Sequence, residues 1–164
     1  MKNRIPIEFY EKAKEVLIYD PTSPSCLRWK NGKKAGSQDK DGYWLVRIGA
    51  RPGKLLKAHR VVWFLHHGTL PDLIDHRDAI TSNNVVKNLR EANEIQNHAN
   101  SKKHKDNSSG VKGISWDKRT NSWIAKCCLN YKQYTIGRFK DLDAAIEALV
   151  AKRNELHKEF ARHD

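Results

Sequence analysis

Long apolar runs are missing from this chain, and so is any balance of charge. No stretch approaches the roughly 20 residues that a membrane-spanning helix needs, and the opening MKNRIPIEFYEK lacks a signal-peptide pattern. The expectation is a soluble, cytoplasmic protein with no membrane partner. Cysteine is scarce: the 164 residues hold only Cys26 and the adjacent pair Cys127-Cys128. There is no CxxC pair, and neighbours on a strand point to opposite faces, so no structural zinc is expected and a reducing compartment is the simpler reading. Acidic residues run short, 19 Asp and Glu against 31 Lys and Arg, leaving a formal charge of +12 and a pI near 9.7. An excess that large implies a polyanionic partner, nucleic acid ahead of membrane. A hydrophobic share of 38% is low for one large core but adequate for two small ones.

What is present falls into two patterns. Residues 6–18 carry Phe9, Ala13, Val16 and Leu17 at helical spacing, with Asp20-Pro21 as the stop. Cys26 to Trp29 and Tyr43 to Ile48 read as strands joined through a Gly/Lys-rich turn. HRVVWFLHH is a short amphipathic helix closed by Gly68. A strand ends at Asp75-His76, Asn88 to Ala92 forms a second, and Asn93 caps a helix from Glu94 to about Ser101. Residues 102–110 are basic, small and polar, a linker whose KKHK run would order only on DNA. Beyond it, Trp116, Trp123, Ala125, Cys127, Tyr134, Ile136 and Phe139 fall in three short runs broken at Asn121 and Asn130, and a helix from Leu142 to about Ala161 follows Asp141 as N-cap.

The chemistry concentrates in IDHRDAITSNNVVKNLREANEIQNHAN, Ile74 to Asn100. Carboxylate and amide oxygens there are hard ligands for a magnesium-like ion. A neutral imidazole takes a proton from water near pH 7. Together they suit metal-assisted phosphodiester hydrolysis. The stretch resembles the HNH (ββα-metal) endonucleases of phage and mobile-element, homing type. The resemblance rests on AHR at 58–60, Asp75-His76, Asn83-Asn84, NLR at 88–90 and the N-x-x-N of Asn97 and Asn100. It implies His76 as general base, Asp75 and Asn97 as metal ligands, and Asn88 as a brace for the loop between the strands, with the backbone around Asn84 and Asn88 orienting the imidazole. His98 is the alternative third residue. Arg60 and Arg90 are phosphate clamps or plain salt-bridge partners. His59 is structural or phosphate-contacting, and His66 and His67 lie at the surface. Where many relatives carry Gly-Asn after the Asp-His-x-Asp run, this chain reads Ala79-Ile80-Thr81.

The C-terminal pattern, with GISW at 113–116, WIAK at 123–126, IGRF at 136–139 and an Ala-rich helix, resembles the ethylene-response-factor (APETALA-type) DNA-binding domain. That resemblance implies a three-stranded sheet lying in the major groove. Plant members place several arginines on that face, whereas this chain has Ser115, Cys128, Gln133 and Thr135 there, so no base preference carries over. By strand alternation Ser115, Gln133 and Thr135 share one face, with Gln133 and Thr135 able to touch base edges. Lys112, Lys118, Arg119, Lys126 and Arg138 would contact phosphates. Trp116 and Trp123 read as core.

The combined expectation is an α+β chain in three parts. An HNH ββα-metal unit with flanking strands and helices occupies 1–101, the basic linker 102–110, and a three-stranded antiparallel sheet packed on one helix 111–164. The expected function is a metal-dependent endonuclease using one divalent ion, magnesium with manganese able to substitute, on double-stranded DNA. It would nick or cut both strands, as monomer or homodimer. The rival reading is a DNA-binding regulator on a nuclease scaffold that does not cut.

Overall fold

The computed structural model describes residues 5–99, 107, 109–129 and 132–157, the side chains of residues 98, 99 and 157 excepted. The chain divides into two compact units, Met1–Glu91 and Ala92–Asp164. Most of the expected linker at 102–110 lies outside the described residues.

In the first unit, helix α1 (Glu8–Val16) turns Tyr10 and Ala13 inward. It stops earlier than its periodicity suggests. Leu17 is already extended, and β1 (Leu17–Tyr19) pairs antiparallel with β2 (Leu27–Trp29). β-Branched Ile18 favours the pleated state, so strand pairing wins over helical spacing there. Strands are present in both segments expected next, Cys26 to Trp29 and Tyr43 to Ile48, but they belong to different sheets. β2 does not pair with the strand that follows the Gly/Lys turn. That strand, β4 (Trp44–Ile48), lies between β3 (Ser37–Gln38) and β5 (Lys54–Lys57).

Helix α2 (Ala58–His67) buries Ala58, Val61, Val62 and Phe64 in a core shared with Leu17, Leu27, Val46 and Leu56. Each buried Val, Leu or Phe is worth about 1.5–3 kcal/mol relative to exposure. Gly68 ends the helix at φ 68°, a left-handed cap open to glycine at no steric cost, with its N–H 2.9 Å from the Phe64 carbonyl. The chain then forms β6 (Leu73–His76), a loop, a 3-10 turn (Val86–Asn88) and β7 (Leu89–Ala92), which pairs with β6.

The second unit opens with α3 (Glu94–Ala99), so the order β6, loop, β7, α3 is that of a ββα unit. Asn93 caps α3 reciprocally: its Oδ1 accepts from the Gln96 N–H and Gln96 Oε1 accepts from the Asn93 N–H, each at 2.8 Å. Then come β8 (Ile114–Asp117), β9 (Ser122–Leu129), β10 (Lys132–Phe139) and α4 (Leu142–His157), the sheet order being β10-β9-β8. Ile114, Ala125 and Cys127 pack with Ala145 and Leu149 of α4. Asp141 caps α4 through the Ala144 N–H at 2.9 Å. Gly113, at φ 87°, admits no side chain, since a Cβ there would sit 2.5 Å from the Lys126 carbonyl oxygen. No helix among the described residues is long and apolar enough to cross a membrane.

Candidate active site

β6 delivers Asp75 and His76 into the protein, at 6% and 5% exposure. Consecutive residues on a strand face opposite ways, so the two side chains meet different neighbours. Asp75 faces Arg90 of β7: its Oδ2 accepts from Nε at 2.9 Å and from Nη2 at 2.8 Å. This two-pronged pair is buried on both sides, and removing either partner would cost about 3–5 kcal/mol. The structure therefore joins Arg90 to the carboxylate, the salt-bridge alternative of the sequence reading.

His76 meets Asn84, which is fully buried. The His76 Nε2 and Asn84 Oδ1 atoms lie 3.1 Å apart, and Asn84 Nδ2 donates to the Ser25 carbonyl at 3.2 Å. The Ser25 oxygen accepts only, so the amide nitrogen must face it and Oδ1 must face the imidazole. An amide oxygen also only accepts, which makes Nε2 the protonated ring nitrogen. Nδ1 then carries the lone pair, as a general base requires. The side chain of Asn84, rather than the backbone around it, thus orients the ring. Burial pushes His76 below the ordinary imidazole value, against the opposing pull of the Asn84 bond and of Asp78 and Asp75.

Two aromatic groups back the ring. His59, on the first turn of α2, lies edge-on to His76 with centroids 5.0 Å apart, and Tyr43 lies 5.7 Å from His59 and 6.2 Å from His76. His59 is buried, and burial holds it well below the ordinary value, with the neighbouring charges of His76, Lys57 and Arg60 acting the same way.

The loop after His76 is stitched by Asp78 and Asn88. Asn88 Nδ2 donates to Asp78 Oδ1 and to the Asn83 carbonyl, both at 2.9 Å, and its Oδ1 accepts from the Asp78 N–H at 3.2 Å. Asn83 Nδ2 and the Ile80 N–H also bind Asp78, at 2.7 and 2.8 Å. Burial would raise the Asp78 carboxyl, but these donors outweigh it and hold the group below its ordinary value. Ala79 takes φ 53°, so the loop holds a non-glycine residue in the left-handed region.

Other expected residues lie elsewhere. Arg60 is half-buried and joined to the Tyr10 hydroxyl at 3.3 Å and to the Asp72 and Pro71 carbonyls at 3.3 and 3.0 Å. Asn97 is exposed on α3 in the second unit, and the side chain of His98 lies outside the described residues. Among the described residues no group of three or more His, Cys, Asp or Glu could hold a metal ion. A carboxylate-and-amide donor set forms no such group, yet it suits magnesium, which keeps several waters and takes one or two carboxylates plus substrate phosphate.

In the second unit the register puts Ser115 opposite Ile124, Lys126 opposite Thr135, Cys128 opposite Gln133 and Arg138 opposite Ile124, all on the face away from α4. Arg138 is paired with Asp117 at 2.7 Å, the Thr120 hydroxyl donates to the same carboxylate oxygen at 2.8 Å, and these bonds bring the Asp117 carboxyl to about 2. Lys118 and Arg119 are exposed between β8 and β9, and Lys112 precedes β8, half-buried. Trp116 and Trp123 face each other across β8 and β9, centroids 4.9 Å apart, on the α4 side. Trp123 packs on the core, whereas Trp116 stays 37% exposed.

Sequence reasoning passed over Ser25 and Asp78 and used only the backbone of Asn84. The Asn83-Asn84 pair was a signal for the last; nothing local marks Ser25, which lies 59 positions from its partner.

Residues 56–99 match the family model of the HNH endonucleases, a family whose substrate is DNA and whose members generally use a divalent metal. No solved structure matches the chain. Protein 3.8 of Escherichia phage T7 is 36% identical over 111 residues, which make up 66% of this chain and 91% of that protein. The chain thus belongs to the family of the T7 Protein 3.8 and carries an HNH endonuclease domain at residues 56–99.

Proposed function

We propose that the protein is a divalent-metal-dependent DNA endonuclease in which His76 is the general base. The observation that carries this reading is the chain Ser25 carbonyl, Asn84 amide, His76 imidazole, which sets the tautomer with Nδ1 unprotonated inside an HNH domain. Nδ1 takes a proton from the attacking water. The new P–O bond forms as the bond to the 3′ oxygen breaks, leaving 3′-hydroxyl and 5′-phosphate ends. Burial keeps the base neutral at physiological pH, and the Asn84 bond fixes its aim, without which a base loses most of its value. When bound, the ion neutralises charge developing on the phosphate. Asp75 supplies its carboxylate, with Arg90 fixing that group's orientation, and Asn97 is its second ligand on the strength of the sequence resemblance. Magnesium is the proposed ion, and manganese would substitute. Asn88 acts through the loop it braces.

The second unit is the proposed targeting module, similar to ethylene-response-factor domains. Supporting this is a sheet face that carries Ser115, Lys126, Gln133, Thr135 and Arg138 together, away from the packed helix. Lys118, Arg119 and Lys112 add positive charge beside it.

The test is incubation of end-labelled duplex DNA, and of RNA of the same sequence, with the full chain in magnesium and in chelator. Cleavage of DNA only, abolished by chelator and leaving ligatable 5′-phosphate ends, is expected. Preferred cleavage of RNA, or cleavage unaffected by chelator, would reject the reading.

A further inference from the structure

Arg60 and Arg90, the two arginines singled out as phosphate clamps, are already joined to protein acceptors, Arg60 to a hydroxyl and two carbonyls and Arg90 to Asp75. Lys57 is different. It closes β5 and sits at the N-cap of α2, so its backbone is fixed by two elements. Opposite it on β4 is Leu45, which makes Tyr43 its diagonal neighbour on the same face. The side chain is exposed, and among the described residues it takes part in no ion pair. Its ammonium instead rests 3.7 Å from the centroid of the Tyr43 ring, the ring that packs against both His59 and His76. One aromatic ring therefore separates an available cation from the candidate base.

We propose that Lys57 is a catalytic residue whose ammonium, held on Tyr43 in the free protein, contacts a nonbridging oxygen of the scissile phosphate. The proposal rests on the nuclease reading above. Energetics favour the transfer. A cation–π contact at an exposed site is weak, whereas a charge-assisted bond to phosphate is roughly twice as strong as a neutral hydrogen bond and strengthens as water is excluded. The flexible four-carbon stem lets the ammonium leave the ring while the backbone stays in place. In the attack step Lys57 moves no proton. It stays charged and offsets the negative charge that grows on the phosphoryl oxygens, while His76 takes the proton and the 3′ oxygen departs. The same charge also favours the neutral form of His76 and of His59.

Single-turnover cleavage of a short duplex in magnesium, with duplex affinity measured in calcium, tests this on wild type, Lys57→Met and Lys57→Arg. Lys57→Met is expected to lower the maximal rate roughly 100-fold, by analogy with loss of one oxyanion donor, and to change affinity less than about threefold, as for a contact that strengthens mainly in the transition state. Lys57→Arg is expected to recover at least a tenth of the wild-type rate. Thermal melts should coincide, since the side chain is exposed; should Lys57→Met fail to fold, Lys57→Gln takes its place with the same expectation. A wild-type chain that cuts while Lys57→Met cuts within threefold of it overturns the role of Lys57 alone. So does a loss that lies wholly in affinity. A wild-type chain that does not cut overturns the nuclease reading and this proposal with it.

Discussion

Asn84→Ala is the perturbation that reaches deepest into the site. The side chain is fully buried and makes two hydrogen bonds, to His76 Nε2 at 3.1 Å and to the Ser25 carbonyl at 3.2 Å. Truncation leaves a buried N–H and a buried carbonyl without these partners, each at about 1–3 kcal/mol. The sum, about 2–5 kcal/mol with partial relaxation, is a large share of the 5–15 kcal/mol typical of a domain. Catalysis should suffer separately. Losing a neutral hydrogen bond removes about 0.5–1.5 kcal/mol of preference for the Nε2–H tautomer, a factor of roughly 2–12, and loss of aim compounds it. The expected fall in single-turnover rate is therefore about 10–100-fold. Asn84→Asp keeps volume and acceptor, so it should retain more activity than Asn84→Ala. Its carboxylate should raise the His76 value and shift the acid limb of the pH–rate profile upward. Thermal melts, single-turnover cleavage and nitrogen-15 spectra of the histidine rings measure these effects. A wild-type His76 protonated at Nδ1, or an Asn84→Ala chain that cuts as fast as wild type, would refute the reasoning.

The remaining predictions are narrower. His59 is held neutral by burial, so its folded value lies below its unfolded value near 6.5. Its contribution is then fully present above pH 6.5 and is lost as pH falls below it, at up to about 1.4 kcal/mol per pH unit while the folded ring stays neutral. Denaturant unfolding at pH 7.5 and 5.5 should show this acid destabilisation, with a smaller difference in His59→Gln. Ala79→Gly should stabilise the chain by about 1 kcal/mol, because φ 53° is strained for alanine and open to glycine; a lower melting temperature would contradict this. Lys126→Ala should weaken binding to all duplexes alike and reduce the salt slope by about one, whereas Gln133→Ala should change which sequence is preferred. Equal effects of the two on every duplex would remove the sheet face as a reader of bases.

Much of the fold was legible where local chemistry decides it. Gly68, Asn93 and Asp141 mark helix ends through side-chain or backbone bonds within a few residues, and each does so in the structure. The three-strand run of the second unit follows from alternation and turn residues. Pairing between distant strands was not legible. Whether β2 pairs with β1 or with β4 depends on the core around Leu17 and Leu27, and no periodicity encodes that choice. The site shows the same division. Asp75, His76 and Asn88 could be picked out because they cluster within 14 residues. The partners that give them their properties were legible only in part: Arg90 stood out as a phosphate clamp or salt-bridge partner, but not as the partner of Asp75. Ser25 acts through one carbonyl, Arg90 serves Asp75 only once β6 and β7 pair, and Tyr43 and Lys57 reach His76 through a separate sheet.

The central claim is that His76 is the base of a metal-dependent DNA cut. Conversion of supercoiled plasmid by wild type and by His76→Ala, in magnesium and in EDTA, tests it most directly. The account predicts nicked or linear product with wild type in magnesium only. It also predicts a loss of roughly 10²–10⁴ in rate for His76→Ala, at unchanged duplex affinity in calcium. Cleavage by His76→Ala within threefold of wild type would contradict it.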